Sequence, residues 1–300
     1  MIETACKAVS IYTLFMRKIF VLSLLGIFLV CCGRFGKKHD RGDKDRIVSV
    51  SKQMTEFLFA LHLDNKIVGI DLTSTYPPET KKLTTVGYHR HLNAEGIISL
   101  DPTVVIHQGD IAPTSVMTQV QQVGIPVKQY PAGSTIDSAK IVLAMVAHDY
   151  GADSIAEKLN ENLDRELKKA DSIVKTYTSR PRVLIIHFGQ QRNQYFVMGT
   201  RGTANAMLTL AGGDNAADTS SFRDLSAEVI AREQPDVILA TDFGFDRLGG
   251  NIQKFMELPG IALTPAAKNG KIYRVEEHDL VYFGPRTGQN IIKIAKLIHQ

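Results

Sequence analysis

One short segment gathers several side chains able to bind a metal or an anion. Gly87-Tyr88-His89-Arg90-His91 sets a phenol, two imidazoles and a guanidinium side by side. A phenolate is a hard oxygen donor that suits a hard Lewis acid such as Fe(III), and imidazole is a common ligand of transition metals. Free tyrosine titrates at about 10. A bound cation lowers that value, and a neighbouring guanidinium favours the anion, so Arg90 is suited to assist Tyr88. The segment follows Lys82-Leu83-Thr84-Thr85-Val86 and a glycine. That context predicts a loop at a strand end, where cleft residues of α/β lobes collect. In an extended loop neighbours point to opposite sides. Tyr88 and Arg90 then face together, while His89 and His91 face away as exposed histidines.

Other candidates are scattered. His187 ends the apolar run Val183-Leu184-Ile185-Ile186, where a buried, hydrogen-bonded histidine and a cleft ligand are both open readings. Tyr282-Phe283-Gly284-Pro285-Arg286 reads as a turn before a helix, with Gly and Pro presenting Arg286 at a loop edge. Arg201 and Arg247 sit on glycine-flanked loops. His107, Asp110 and Asp242 lie near strand ends, but their spacing has no diagnostic pattern. They support an exported metal-dependent hydrolase only as a remote alternative. The chain contains no Gly-x-Ser-x-Gly, no phosphate-loop motif and no His-Glu-x-x-His.

Composition narrows the chemistry further. The net charge of +4 resides in residues 1–45, which hold eight Lys/Arg and four Asp/Glu. The rest of the chain carries 27 of each sign, no cysteine and no tryptophan. A disulfide scaffold, a cysteine zinc site and a basic nucleic-acid surface are therefore excluded for the body. Any metal it holds must rest on oxygen or imidazole donors. Arg17 and Lys18 precede an apolar run from Ile19 to Cys32, too short for a spanning helix and patterned like a signal peptide. Residues 1–15 fit no part of that pattern, which begins at Met16. Leu29-Val30-Cys31-Cys32 resembles a bacterial lipobox, with Cys32 as the lipidated residue. The expected organisation is a signal peptide and lipobox over 1–32 and a flexible tether over 33–45. The body is expected to be exported, periplasmic and lipid-anchored to a membrane.

These side chains must be positioned by alternating elements. Strands are predicted at Ile47–Val50, Lys66–Ile70, Thr103–His107 and Pro126–Tyr130, with helical patterns between them. This βα rhythm implies a largely parallel sheet in an N-terminal lobe over 46–134. Residues 135–180 read as one long connecting helix, with Gly151 as its only potential interruption. The rhythm resumes in a C-terminal lobe over 181–300, with strands at Arg182–His187, Tyr195–Met198, Asp236–Ala240 and Lys271–Val275. A weak repeat links the lobes at an offset of 133 residues: Ala94-Glu95, Ile97, Pro102 and Val104 match Ala227-Glu228, Ile230, Pro235 and Val237. The fold class is α/β: two Rossmann-like lobes joined by a long α-helix, with a ligand cleft between them.

This organisation resembles the class III periplasmic binding proteins of ABC importers for haem, ferric siderophores or cobalamin. The resemblance covers about residues 46–300. Thr85-Val86-Gly87-Tyr88-His89-Arg90, Gly199-Thr200-Arg201-Gly202-Thr203, Leu258-Pro259-Gly260 and Phe283-Gly284-Pro285-Arg286-Thr287-Gly288 point to the haem branch. The resemblance implies that the protein catalyses no reaction. It implies haem as the transported ligand, with Tyr88 as axial iron ligand supported by Arg90, and His89 or His91 as weaker alternatives. Arg286, Arg201 and Arg247 become candidates for the haem propionates, with Arg286 also placed to approach the phenolate. Tyr282 and Phe283 become candidates for the porphyrin face, and His187 for a second ligand. Glu95 and Glu228 take the family's role of docking onto an ABC permease dimer. A ferric-siderophore or cobalamin carrier is the alternative of the same fold.

Overall fold

The computed structural model describes residues 45–191, 194–247 and 249–300. The signal segment, Cys32 and nearly all of the tether lie outside the described residues. The N-terminal lobe contains β1 (Ile47–Val50), α1 (Lys52–Ala60), β2 (Ile67–Ile70), α2 (Ala94–Ile98), β3 (Val104–His107), α3 (Ser115–Gln122) and β4 (Val127–Gln129). Its strands form one parallel sheet in the order β2-β1-β3-β4. Two helices follow, α4 (Ile136–Asp149) and α5 (Asp153–Val174). The C-terminal lobe runs through β5 (Arg182–Gln191), β6 (Gln194–Val197), α6 (Thr203–Leu210), β7 (Asp214–Asn215), β8 (Arg223–Ser226) and α7 (Ala227–Glu233). It continues with β9 (Val237–Thr241), α8 (Asp242–Arg247), α9 (Ile252–Met256), α10 (Pro265–Lys268), β10 (Ile272–Val275) and α11 (Thr287–Ile298). Its main path is β10-β9-β5-β6-β8. β10, β9 and β5 are parallel, whereas β6 and β8 are added antiparallel.

The long connection is interrupted at the flagged glycine. Gly151 adopts φ +68, and α5 folds back on α4 so that Lys140 reaches Asp164 at 2.8 Å. Thr135 and Ser138 start α4 with a reciprocal capping box. A Cβ at Gly151 would meet nothing within 4 Å, so only the backbone requires glycine. Gly151→Ala is therefore expected to destabilise the protein by about 1 kcal/mol, read as a lower urea midpoint at unchanged m.

Alternation along the strands explains why the lobes share one core. Ile47 and Ile106, and across the chain Val183, Ile185, Val237 and Leu239, all point into one buried cluster with Phe57, Phe283 and Ile294. Their neighbours Val48 and Val105, and Leu184, Ile186, Ile238 and Ala240, turn to separate outer clusters. The inner face of each sheet thus packs on the α4, α5 and α11 layer. Gly288 permits a close approach there: a Cβ at that position would lie 2.5 Å from the Cβ of Glu166 on α5.

The internal repeat extends to the backbone. Asp101 and Gln234, at the same offset, both adopt φ 46 before a buried proline and a central strand. Left-handed residues other than glycine are uncommon, so a matched pair marks two equivalent helix-to-strand corners.

Candidate functional site

The described body has a cleft of about 770 Å³ between the lobes, within the range of small-molecule sites. Its N-terminal wall is polar. The stretch 84–87 runs beside the end of β2, through hydrogen bonds from Val86 N–H to the Ile70 carbonyl (2.8 Å) and from Leu72 N–H to the Gly87 carbonyl (2.8 Å). Gly87 then turns the chain with φ +99. Tyr88 to His91 form a tight turn, closed by the His91 N–H on the Tyr88 carbonyl at 2.7 Å. The segment is a loop at a strand end, as its context predicts, but it curves into a turn instead of running extended, so strict alternation fails. Tyr88, His89 and Arg90 all line the cleft, and His91 does not.

Each member of this turn has a distinct environment. Tyr88 is 37% exposed, with its ring 4.5 Å from the His89 ring, edge to face. Arg90 Nη2 binds Asp110 Oδ2 at 2.8 Å, and this hydrogen bond holds the guanidinium's pKa above its ordinary value. His89 is held inside the wall, contrary to the exposed position expected for it. Its Nδ1 lies 3.1 Å from Asp71 Oδ2, and its Nε2 lies 3.7 Å from Asp110 Oδ2. Burial pushes the Asp71 carboxyl up, but hydrogen bonds from His89, Ser74 and Thr73 outweigh it and hold the group below its usual value. The ring nitrogens of His89 thus both face carboxylates, whereas Tyr88 reaches the cleft partly exposed.

The opposite wall is aromatic. The His187 ring sits among Phe196 (6.0 Å), Phe222 (5.7 Å, edge to face) and Phe243 (5.6 Å), while Phe196 stacks on Phe222 at 5.2 Å. The three phenylalanines escaped the sequence reading. They come from an antiparallel strand, a loop and a short helix, and no periodicity connects them. The floor is formed by Lys52 and Gln53 at the start of α1 and by Glu277 and Tyr282 from the other lobe.

Arg286 is placed differently from the expectation. It does not line the cleft. Its guanidinium makes two bonds to Glu56 (Nε–Oε1 3.1 Å, Nη2–Oε2 2.7 Å) and one to Asp279 (2.6 Å), and it lies 3.6 Å over the Tyr76 ring. With these partners the side chain works as a strap between α1 and the C-terminal lobe. Tyr282 lines the cleft but is largely buried, and its hydroxyl donates to Glu56 at 2.7 Å. Burial first, and then the Glu56 charge, push its pKa well above the usual value. Phe283 is buried in the shared core. Arg201 is exposed and does not line the cleft, and the Arg247 side chain lies outside the described residues.

Glu95 and Glu228 occupy equivalent exposed positions on α2 and α7, just after the capping residues Asn93 and Ser226. The Ser226 side chain holds the Glu228 carboxyl below its ordinary value. His107, Asp110 and Asp242 do not converge. His107 is buried, which lowers its pKa, and it accepts the Gly109 N–H at 2.9 Å. Asp242 accepts the Glu277 N–H at 2.8 Å. Among the described residues no three His, Cys, Asp or Glu side chains are grouped to hold a metal ion, and no helix is long and apolar enough to cross a membrane.

The same architecture recurs in known proteins. The family model described as "Periplasmic binding protein" matches residues 47–278. YvrC, an uncharacterized ABC transporter substrate-binding lipoprotein of Bacillus subtilis, is 26% identical over 85% of this chain and 80% of its own. A cobalamin-binding protein of Halobacterium salinarum is 28% identical over 86% of this chain and 70% of its own. Among solved structures, the periplasmic heme-binding protein RhuT of Roseiflexus sp. RS-1 superposes with a TM-score of 0.78. It is 34% identical, with 85% of this chain and 98% of that one covered. The heme-binding protein BhuT, solved with two hemes, gives a TM-score of 0.77 at 28% identity over 85% of this chain and 98% of that one. Two α/β lobes on a shared helical core, a cleft between them and a family match across both lobes lead to one assignment: the chain belongs to the periplasmic binding protein family and is a substrate-binding protein of an ABC importer.

Proposed function

We propose that the protein captures haem in the cleft and delivers it to an ABC permease. The observation that carries this reading is the contrast between the two walls: a solvent-reachable tyrosine faces a cleft whose far side is three phenylalanines around an imidazole. A ferric porphyrin is a flat apolar disc with a hard Lewis acid at its centre. Tyr88 ligates the iron as phenolate, a deprotonation that Fe(III) itself promotes and that the nearby Arg90 charge favours. The phenylalanines pack on the disc, and His187 lies on the wall across from Tyr88.

Cobalamin is the second reading, favoured by the names of several relatives. Separate absorption titrations with hemin and cyanocobalamin distinguish the two. Saturable hemin binding with no competition by cobalamin is expected. Cobalamin binding without hemin binding would overturn the haem reading.

Glu95 and Glu228 dock the two lobes onto basic residues of the permease, and acylated Cys32 holds the protein at the membrane. Reversing both charges (Glu95→Lys with Glu228→Lys) is expected to leave hemin affinity within about twofold. Opposed like charges cost several kcal/mol at an interface, so haem uptake into permease-bearing vesicles should fall by about tenfold or more. Unchanged uptake would remove the docking assignment.

A further inference from the structure

With Arg286 locked away from the cleft, the described lining offers two permanent cations, Arg90 and Lys52. Both are already paired with carboxylates that also line the cleft. Arg90 binds Asp110, and Lys52 Nζ binds both Glu277 oxygens at 2.7 and 3.0 Å. The Lys52 pair joins the two lobes across the floor. Glu277 is almost fully buried, whereas Lys52 keeps about a fifth of its side chain exposed. Lys52 also opens α1, where backbone N–H groups add to the positive potential.

We infer that Lys52 is a carboxylate-recognising cation of the cleft and that Glu277 is an internal carboxylate competing with the ligand for it. The inference rests on the haem reading, since haem carries two propionates. A flexible lysine can leave one carboxylate for another at little geometric cost, because its ammonium is a compact point charge on a four-carbon stem. The Glu277 N–H is fixed on Asp242, which keeps Glu277 in place as Lys52 moves. An incoming propionate then takes over the position on Lys52 that Glu277 holds in the empty cleft. A ligand without carboxylates gains nothing from Lys52 and leaves the pair intact. Lys52 thereby favours anionic porphyrins over neutral ones, and Glu277 sets the threshold that an incoming carboxylate must exceed.

The test compares hemin with hemin dimethyl ester, which keeps iron and ring but lacks both charges, in the full chain and two variants. A hydrogen bond to a charged group is lost in Lys52→Met, so hemin affinity should fall by about tenfold. Glu277→Gln removes the competitor, so hemin affinity should rise severalfold. Binding of the dimethyl ester should stay within about twofold in both, which also verifies folding. The iron–tyrosinate absorption of bound hemin should persist throughout. Equal losses for hemin and its ester in Lys52→Met, or weaker hemin binding in Glu277→Gln, would reduce the pair to a structural strap and overturn the inference. If the unmodified protein bound neither porphyrin, the haem reading itself would fall, a result separate from the other two.

Discussion

Tyr88→Phe is expected to lower hemin affinity by about a hundredfold or more and to abolish the tyrosinate charge-transfer band. The substitution removes one oxygen and keeps the ring that packs 4.5 Å from His89. The turn itself is held by backbone bonds, including His91 N–H to the Tyr88 carbonyl and Ala112 N–H to the His89 carbonyl. Folding should therefore survive, and the loss reports on ligation. Outer-shell groups at metal sites typically contribute about 10–100-fold to affinity, so an axial ligand should sit at or above the top of that range. His89→Ala offers the contrast. Its nitrogens face Asp71 and Asp110, so it should weaken binding only through the turn's position and should leave the band in place. If the band survived Tyr88→Phe and vanished in His89→Ala, the ligand would be the histidine.

The second large effect concerns stability. Arg286→Met is expected to destabilise the fold by about 3–5 kcal/mol, since it leaves the buried Glu56 carboxylate without its cation and takes one partner from Asp279. For a body of this size that corresponds to a fall in Tm on the order of 10 °C. Lys293 still reaches Asp279 at 2.8 Å, so Glu56 is the group left most exposed to the loss. The acid side of the stability curve carries a further signature. Burial acts to raise the Asp279 carboxyl, but hydrogen bonds from His278, Lys293 and Arg286 more than offset it and hold it far below the ordinary carboxylate range. A carboxyl depressed on folding contributes fully above its unfolded value of about 4. That contribution fades as pH falls toward the folded value. Asp279→Asn should therefore be less stable at neutral pH and show a shallower loss of stability below about pH 4 in urea melts. An unchanged acid slope would contradict the role given to Asp279.

Much of the fold was legible because the central strands announce themselves. Ile47–Val50, Val104–His107 and Val237–Thr241 are apolar on both faces, as parallel strands covered by helices on either side must be. The offset of 133 was equally visible, and the matched φ of Asp101 and Gln234 gives it a conformational basis. β8 was illegible because only Leu225 of its residues is buried, and α8 because six residues with a central glycine carry no period. The candidate site was legible in Tyr88 and Arg90, whose neighbourhood is local in sequence. It was not legible where partners are distant. Arg286 pairs with Glu56 across 230 positions, and Lys52 pairs with Glu277 across 225. A loop arginine looks free until the fold brings two carboxylates to it. The turn at Tyr88 misled for a related reason: one backbone bond, from His91 to Tyr88, replaces strand alternation with a curve.

The most direct test of the account is a resonance Raman spectrum of the ferric haem complex, excited in its charge-transfer region. Phenolate ring modes enhanced by an iron–oxygen bond, absent in Tyr88→Phe, are the predicted result. A low-spin spectrum with two histidine ligands and no phenolate modes, or no haem complex at all, would contradict it.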